Sequence, residues 1–532
     1  MKQLFFILLL DIIIFTKQAT YNIYPNNTQI NSLFQTSNAG DVFIFHEGVG
    51  QYNESIQIVK KYNKVTTIRG IDGENLPGAM KIQIINSTNI NIQILNCPIE
   101  ISIINSESIG LTQLTLTHFE SRDSRKINLQ NTIITNEDKE LMRVDIFNGQ
   151  NINLINNTIY ENNYYGLYLQ YCRNCYINNN TIYHSTLHNI KIDDCYNCTI
   201  NANYLLNNIS DNIKLGNGTI FYYNTISNNV MISNKNSIIM EKEDKGNYTN
   251  FQKNSILYNI MISNENNINI IDSFNPIGER GEIKNNFFSG TKFYINENEF
   301  SSWVINNNFF RGINSGDMAE NTNSKIFSNK EISYEEIFFY KEGICDYSKL
   351  FEDKLNLNCF KPMEDTDNDM TLYHNGIPTS LKRDILNINK SAKNPSVGVF
   401  EYGFRNFTLY VEYCLHLDDM TVGVLIHTSN YRYTLIDLIK IDKCLWGGEI
   451  TQYNDLEYKI VLKKGNSIKR WFTTTNRIFN LTKIEQDFKS MKSSDYKYNI
   501  NSEGETFKAN VYIEYYGYLV KTQRVEDNSS DL

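Results

Sequence analysis

Apolar and polar residues alternate in short, evenly spaced bursts over the first three hundred or so positions. Gly166-Leu167-Tyr168-Leu169-Gln170 and Asn189-Ile190-Lys191-Ile192-Asp193 are two of them. A period of two marks a strand with one face buried, and no i, i+3, i+4 spacing is sustained here for long enough to make a helix. The bursts also recur. NNTIYENNYYGLYLQYCRNCYIN, from Asn156, returns as NNTIYHSTLHNIKIDDCYNCTI after 23 residues (172 to 195, 175 to 198). A third copy, ANYLLNNISDNIKLGNG, keeps the alternation without the cysteines, and NTIITNEDKELMRVDIFNGQNINLI fits upstream with a short insertion after Asn136. Weaker copies lie 19 residues apart (85 to 104) and 22 apart (285 to 307). Repeats of this length from Ile84 to about Arg311 predict an array of coils, not one compact core.

Short strands joined by Asn-rich corners predict a parallel β-helix, in which each coil is the template for the next. Asn suits the corners because it tolerates left-handed backbone, and its amide can bond the Asn one coil away. The frame of a leucine-rich repeat is absent. In this register Leu167/Leu169, Ile190/Ile192 and Ile213/Leu215 face inward. Tyr168, Lys191 and Lys214 then form one exposed column, with Asp145 a coil earlier. Gln170 and Asp193 form the next column, with His188, Asp194 and Arg143 close by.

The same register bears on the two C-x-x-C motifs. Cys172 stacks on Cys195 and Cys175 on Cys198 at about 4.8 Å, inside the Cα window of roughly 4.4–6.8 Å for a disulfide. A buried thiol ladder or disulfides is one reading. A zinc ribbon is the other, since C-x2-C-x19-C-x2-C also fits zinc. The coil length explains the spacing without a metal. Cys345 with Cys359, and Cys414 with Cys444, are candidate local pairs. With nine cysteines in all, at least one stays single, and Cys97 is the candidate.

The opening segment INSLFQTSNAGDVFIFHEGVGQYNESIQIVKKYNKVTTIRGIDGE adds a short helix (Ile30, Leu33, Phe34), a strand Val42–Phe45, a Gly50-Gln51-Tyr52 turn and strands at Ser55–Val59 and Thr66–Arg69. Together with the repeats it resembles the pectin-lyase-like, right-handed parallel β-helix proteins. The resemblance covers roughly residues 22–315. It implies an all-β solenoid whose helix caps an otherwise open strand edge. The superfamily includes polysaccharide lyases, glycoside hydrolases and uronate epimerases, along with many members of no known reaction, so fold does not give function.

The first residues, MKQLFFILLLDIIIFTKQA, have the layout of a secretory signal peptide over 1–19. Its apolar run is short of the roughly 20 residues of a spanning helix, and no later segment is apolar enough to span a membrane. Sequons at Asn26, Asn53, Asn156, Asn179, Asn197, Asn208, Asn217, Asn247, Asn406 and Asn480 fit a glycoprotein, although a chain rich in Asn produces sequons by chance. A formal charge of −9 without Lys/Arg clusters gives no sign of nucleic-acid binding. The expected organisation is a solenoid over 20–312, a linker or cap over 313–370, an antiparallel β-sandwich-like domain over 371–524 and a polar tail over 525–532.

Removing a uronide's C5 proton needs a base and a group that neutralises the neighbouring carboxylate. Lys191, Lys214, Asp193 and His188 are the catalytic candidates, and Tyr168, Gln170, Asp145 and Arg143 the binding candidates. A solvated polar stripe would look the same, because alternating strands always expose such residues. Polygalacturonase-type motifs are absent apart from Asp193-Asp194. Ca²⁺ is a conceivable cofactor for such chemistry, and the carboxylates of EDTDNDM are close together, but that segment lacks the Gly and terminal Glu of an EF-hand loop. The expectation is an extracellular, secreted protein that binds or acts on polysaccharide, a uronide lyase if an enzyme. The alternative is a matrix or adhesion protein that uses the solenoid as a rigid scaffold.

Overall fold

The computed structural model describes residues 18–532 apart from 28, 53–54, 136–143, 162–163, 208, 217–222, 242–252, 271–279, 296–302, 313–324, 328–333, 339–344, 353–354, 361, 363–371, 373–375, 386–389, 391–394, 401–404, 413–420, 429–431, 443–444, 453–455, 465–466, 472–476, 480–507, 516–517 and 527–532. The chain divides into two compact units, residues 1–401 and 402–532.

The first unit is a parallel β-solenoid. One strand from each coil joins a 13-stranded sheet running from Thr20–Ile23 to Trp303–Asn306, and the other strands of the coils form a second, continuous parallel sheet. The pairings are in register. Leu167 lies on Ile190 and Ile190 on Ile213, while Leu169 lies on Ile192 and Ile192 on Leu215. These inward residues are fully buried. The helix Ile30–Thr36 lies in the chain between the first two strands of the 13-stranded sheet, Thr20–Ile23 and Val42–Phe45. It buries Ile30 and Phe34, with the Phe34 and Phe43 rings 4.2 Å apart.

The corners explain the abundance of Asn. Of 26 described non-glycine residues with positive φ, 13 are Asn, the residue for which that conformation costs least. At one corner a left-handed residue is followed by a buried Asn, giving a column of Asn157, Asn180, Asn203, Asn229, Asn259, Asn286 and Asn308. From Asn180 onward each Oδ1 accepts the backbone N–H of the Asn one coil earlier, at 2.8–2.9 Å, and the Asn157 Oδ1 accepts that of Thr132 at 3.0 Å. Each Nδ2 donates to a carbonyl of the preceding coil, as Asn203 does to Ile177 at 3.0 Å.

A second apolar layer lies outside the solenoid. In strands such as Val230–Ser233 and Ile260–Ser263 every residue is buried. Their outward side chains (Val230, Ile232, Ile260, Ile262) pack with Phe338, Phe360, Val397 and Phe400 from the segment that follows the last coils. That segment carries the Cys345–Cys359 disulfide.

The second unit contains two five-stranded sheets whose pairings are antiparallel. FRNFTLYVEYCL, MTVGVLIHT and KANVYIEYYGYLV supply strands Arg405–Glu412, Thr421–Thr428 and Lys508–Tyr515. Among the described residues, no helix is long and apolar enough to cross a membrane.

Candidate functional site

The outer face of the strands Val144–Phe147, Tyr165–Gln170, His188–Asp193 and Asp211–Gly216 carries most of the residues singled out in the sequence. The register places Asp145 on Tyr168, Tyr168 on Lys191, and Lys191 on Lys214, in one column. Gln170 lies on Asp193, and His188 lies between Tyr165 and Asp211.

The column is not uniformly exposed as the alternation predicts. Lys191 is only 9% exposed and Asp193 only 1%. Alternation fixes which side of a strand a residue faces, but not what lies over that side. The Lys191 ammonium stands 3.2 Å from Asp193 Oδ2, and lies 5.3 Å and 5.2 Å from the Tyr165 and Tyr168 ring centroids. The Tyr168 hydroxyl donates to the same Asp193 oxygen at 2.8 Å. Burial, and then the Asp193 carboxylate, push the Tyr168 hydroxyl well above its ordinary pKa of 10.0. A buried charge is costly unless paired, and here one carboxylate serves both a cation and a phenol.

A second pair adjoins the first. His188 Nδ1 is 3.3 Å from Asp211 Oδ2, and its ring stacks on Tyr165 with centroids 5.7 Å apart. Burial raises the pKa of Asp211, but hydrogen bonds from His188 and Asn236 outweigh it and bring the carboxyl below its usual value. Lys214, though in the same column, pairs with Glu241 at 3.4 Å, away from the Asp193 cluster. Asp194 occupies a left-handed corner and is mostly buried. Next to the cluster is a depression of about 190 Å³ lined by Glu120, Arg122, Asp145, Phe147, Tyr168 and Gln170. Tyr165, Asp211, Glu120 and Arg122 were not singled out in the sequence; the available signal was register, which puts Tyr165 and Asp211 on either side of His188 and Glu120 on Asp145.

The cysteine columns continue the polar columns of other coils. Linked backbone positions run Ser87, Ser106, Ser124, Gly149, Cys172 and Cys195 from coil to coil. The Cys172 N–H donates to Cys195 Sγ at 3.2 Å, as Ser87 N–H donates to Ser106 Oγ at 3.1 Å. Cys175 and Cys198 belong to a neighbouring column that continues as Asn224, since Cys198 N–H donates to Asn224 Oδ1 at 2.8 Å. All four are buried free thiols, as is Cys97, whose pKa burial pushes up to about 12. Among the described residues no group of three His, Cys, Asp or Glu side chains could hold a metal ion.

Sequons Asn156, Asn179 and Asn197 sit on exposed corners, where their Nδ2 atoms donate to Asn131, Asn156 and Asn174. Asn26 is exposed, and Asn406 falls in the strand Arg405–Glu412. Residues 1–17, Asn53, Arg143, Asn208, Asn217, Asn247, the EDTDNDM segment, Cys414, Cys444 and Asn480 lie outside the described residues.

Residues 81–250 match the family model for the right handed beta helix region. This part of the chain is thus a right-handed parallel β-helix, as the repeats and the opening segment lead one to expect. No curated protein matches the chain. Among solved structures, the chain is similar to the pectate lyase Pel9A at 11% identity and TM-score 0.40, with 72% of this chain and 96% of that one covered. A XylC complex with xylose matches at 10% identity and TM-score 0.35, covering 72% and 98%. PfbA, a surface adhesin of Streptococcus pneumoniae, matches at 11% and TM-score 0.29, covering 56% and 84%.

Proposed function

We propose that this protein is secreted and engages acidic extracellular polysaccharide on the outer face of its central coils. The observation that carries this reading is the buried Lys191–Asp193–Tyr168 cluster, with His188–Asp211 alongside and a depression next to it. A carboxylate-bearing sugar needs a fixed cation, hydroxyl and amide partners, and aromatic faces. Lys191, Tyr168, Gln170 and Tyr165 supply them within two consecutive coils.

The finer reading is uronide elimination. Held between two rings and a carboxylate, Lys191 suits the task of neutralising the sugar carboxylate better than that of a base. His188, oriented by Asp211, takes the C5 proton. The C4–O4 bond breaks as the C4–C5 double bond forms, and the leaving oxygen takes its proton from Tyr168. The low exposure of Lys191 and Asp193 favours a second reading, a rigid scaffold in which the cluster only ties neighbouring coils together.

Binding to a panel of anionic polysaccharides, together with ultraviolet absorbance from unsaturated uronide, with Ca²⁺ and with chelator, separates these readings. For an elimination enzyme, His188→Ala should abolish the absorbance and keep binding, while Lys191→Met and Gln170→Ala weaken binding about tenfold each, or about 1.4 kcal/mol. Binding that survives both substitutions in folded protein would remove this face from the function.

A further inference from the structure

A groove of about 410 Å³ lies at the corner between the two sheets and runs from the coil of Lys61 to the coil of Arg173, one short of Lys191. Its floor is a straight column. Lys61 lies on Thr88, Thr88 on Glu107 and Glu107 on Arg125, and the column continues through Gln150 and Arg173 to Tyr196. Each step is one coil, about 4.8 Å. Arg125 reaches Glu107 at 2.5 Å, and Lys126 reaches the same carboxylate at 2.6 Å. Arg173 donates to the Gln150 side-chain oxygen at 2.5 Å and to the Tyr196 hydroxyl at 3.5 Å. These contacts use only part of two guanidinium forks, each with five donors suited to planar anions. Both arginines are exposed.

We infer that this corner groove is a second binding site, which takes a linear acidic glycan lying along the solenoid axis. Three features point to that ligand. The lining cations Lys61, Arg125 and Arg173 outnumber the lining carboxylates Glu107 and Asp123, on a chain whose overall formal charge is −9. The arginines lie two coils apart, about 10 Å, close to two sugar units of an extended chain, so one groove reads successive acidic groups. Carboxylates and an amide stand between the cations. They accept hydrogen bonds from sugar hydroxyls, whereas they would repel a phosphate backbone with few donors to offer them. The groove uses no residue of the Lys191 face, and the two sites stand or fall separately.

The test is calorimetric titration of the full-length secreted chain with oligogalacturonate, a neutral oligosaccharide of equal length, and single-stranded DNA. Arg125→Gln with Arg173→Gln should weaken oligogalacturonate binding by about tenfold or more and flatten its salt dependence, with an unchanged melting curve. Lys191→Met should leave this component intact, and Arg173→Glu alone gives a second probe should the double variant fold poorly. Oligogalacturonate binding that the arginine variants leave unchanged overturns the groove, even if Lys191→Met abolishes it. Absence of binding, equal binding of the neutral sugar, or tighter binding of DNA also overturns it.

Discussion

Two sets of buried polar residues in the solenoid differ in whether they recur from coil to coil. The corner Asn column repeats from Asn157 to Asn308, and each amide meets the same partners in each coil. The outer-face cluster of Lys191, Asp193, His188 and Asp211 does not repeat. One coil on, Asp193 gives way to Gly216 and Lys191 to Lys214; two coils on, the Lys191 position is Ile239. A polar group that recurs in register is explained by the stack itself, because every coil poses the same problem of unsatisfied backbone. One that occurs once has no such explanation, which is what marks the Lys191 cluster as the candidate site.

The largest effect expected from this contrast is at the ladder. Asn203→Ala removes the acceptor of Asn180 N–H and the donors to Ile177 and Asn229. Several buried groups lose partners at once, at about 4 kcal/mol in total. Denaturant unfolding of the isolated variant measures it. A loss below about 1 kcal/mol would mean that water replaces the amide and that the column is dispensable.

A smaller effect separates the cluster from the ladder by pH. The Asp211 carboxyl titrates below its ordinary value of 3.8 in the fold, so it binds its proton less readily when folded than when unfolded. Its stabilisation is complete above the unfolded value and is lost as the pH falls through the lower folded one. Melting temperatures measured between pH 6 and pH 2 should show an acid limb that Asp211→Asn removes, whereas an Asn-ladder variant shifts the whole curve and keeps the limb. An identical limb in Asp211→Asn would assign the acid sensitivity to other carboxylates.

Much of the solenoid was legible because its physics is periodic. The inward pairs Leu167/Leu169 and Ile190/Ile192 and the columns Tyr168–Lys191–Lys214 and Gln170–Asp193 all follow from coil length and alternation. What lies over an outward face follows from neither. The burial of Lys191, and the apolar layer built by Phe338, Phe360 and Phe400, depend on contacts distant in sequence. One signal for the latter was present. Val230-Met231-Ile232 and Ile260-Met261-Ile262 have no polar residue between the apolar ones, the pattern of a strand covered on both sides. For the site, the sequence offered Lys191, Asp193 and His188 as one group. Only geometry separates Lys191–Asp193 from His188–Asp211 and sends Lys214 to Glu241.

The smallest expected effect sharpens the rule of recurrence by applying it to chemically reactive residues. Cys195 stands where Ser106 and Ser124 stand in earlier coils, and its sulfur accepts the backbone N–H of Cys172 as their oxygens accept those of Ser87 and Ser106. If position alone explains it, Cys195→Ser keeps the acceptor and changes stability by less than about 1 kcal/mol, while Cys195→Ala loses the bond and costs more. A disulfide or a bound metal at this corner predicts that both are equally damaging, since serine and alanine alike forfeit the cross-link, typically worth about 2–4 kcal/mol. Unfolding of both variants, with thiol titration of the denatured, unreduced protein, tells these apart. Serine and alanine equally damaging, with Cys172 and Cys195 absent from the free thiols, would show that recurrence does not separate architecture from chemistry at this corner.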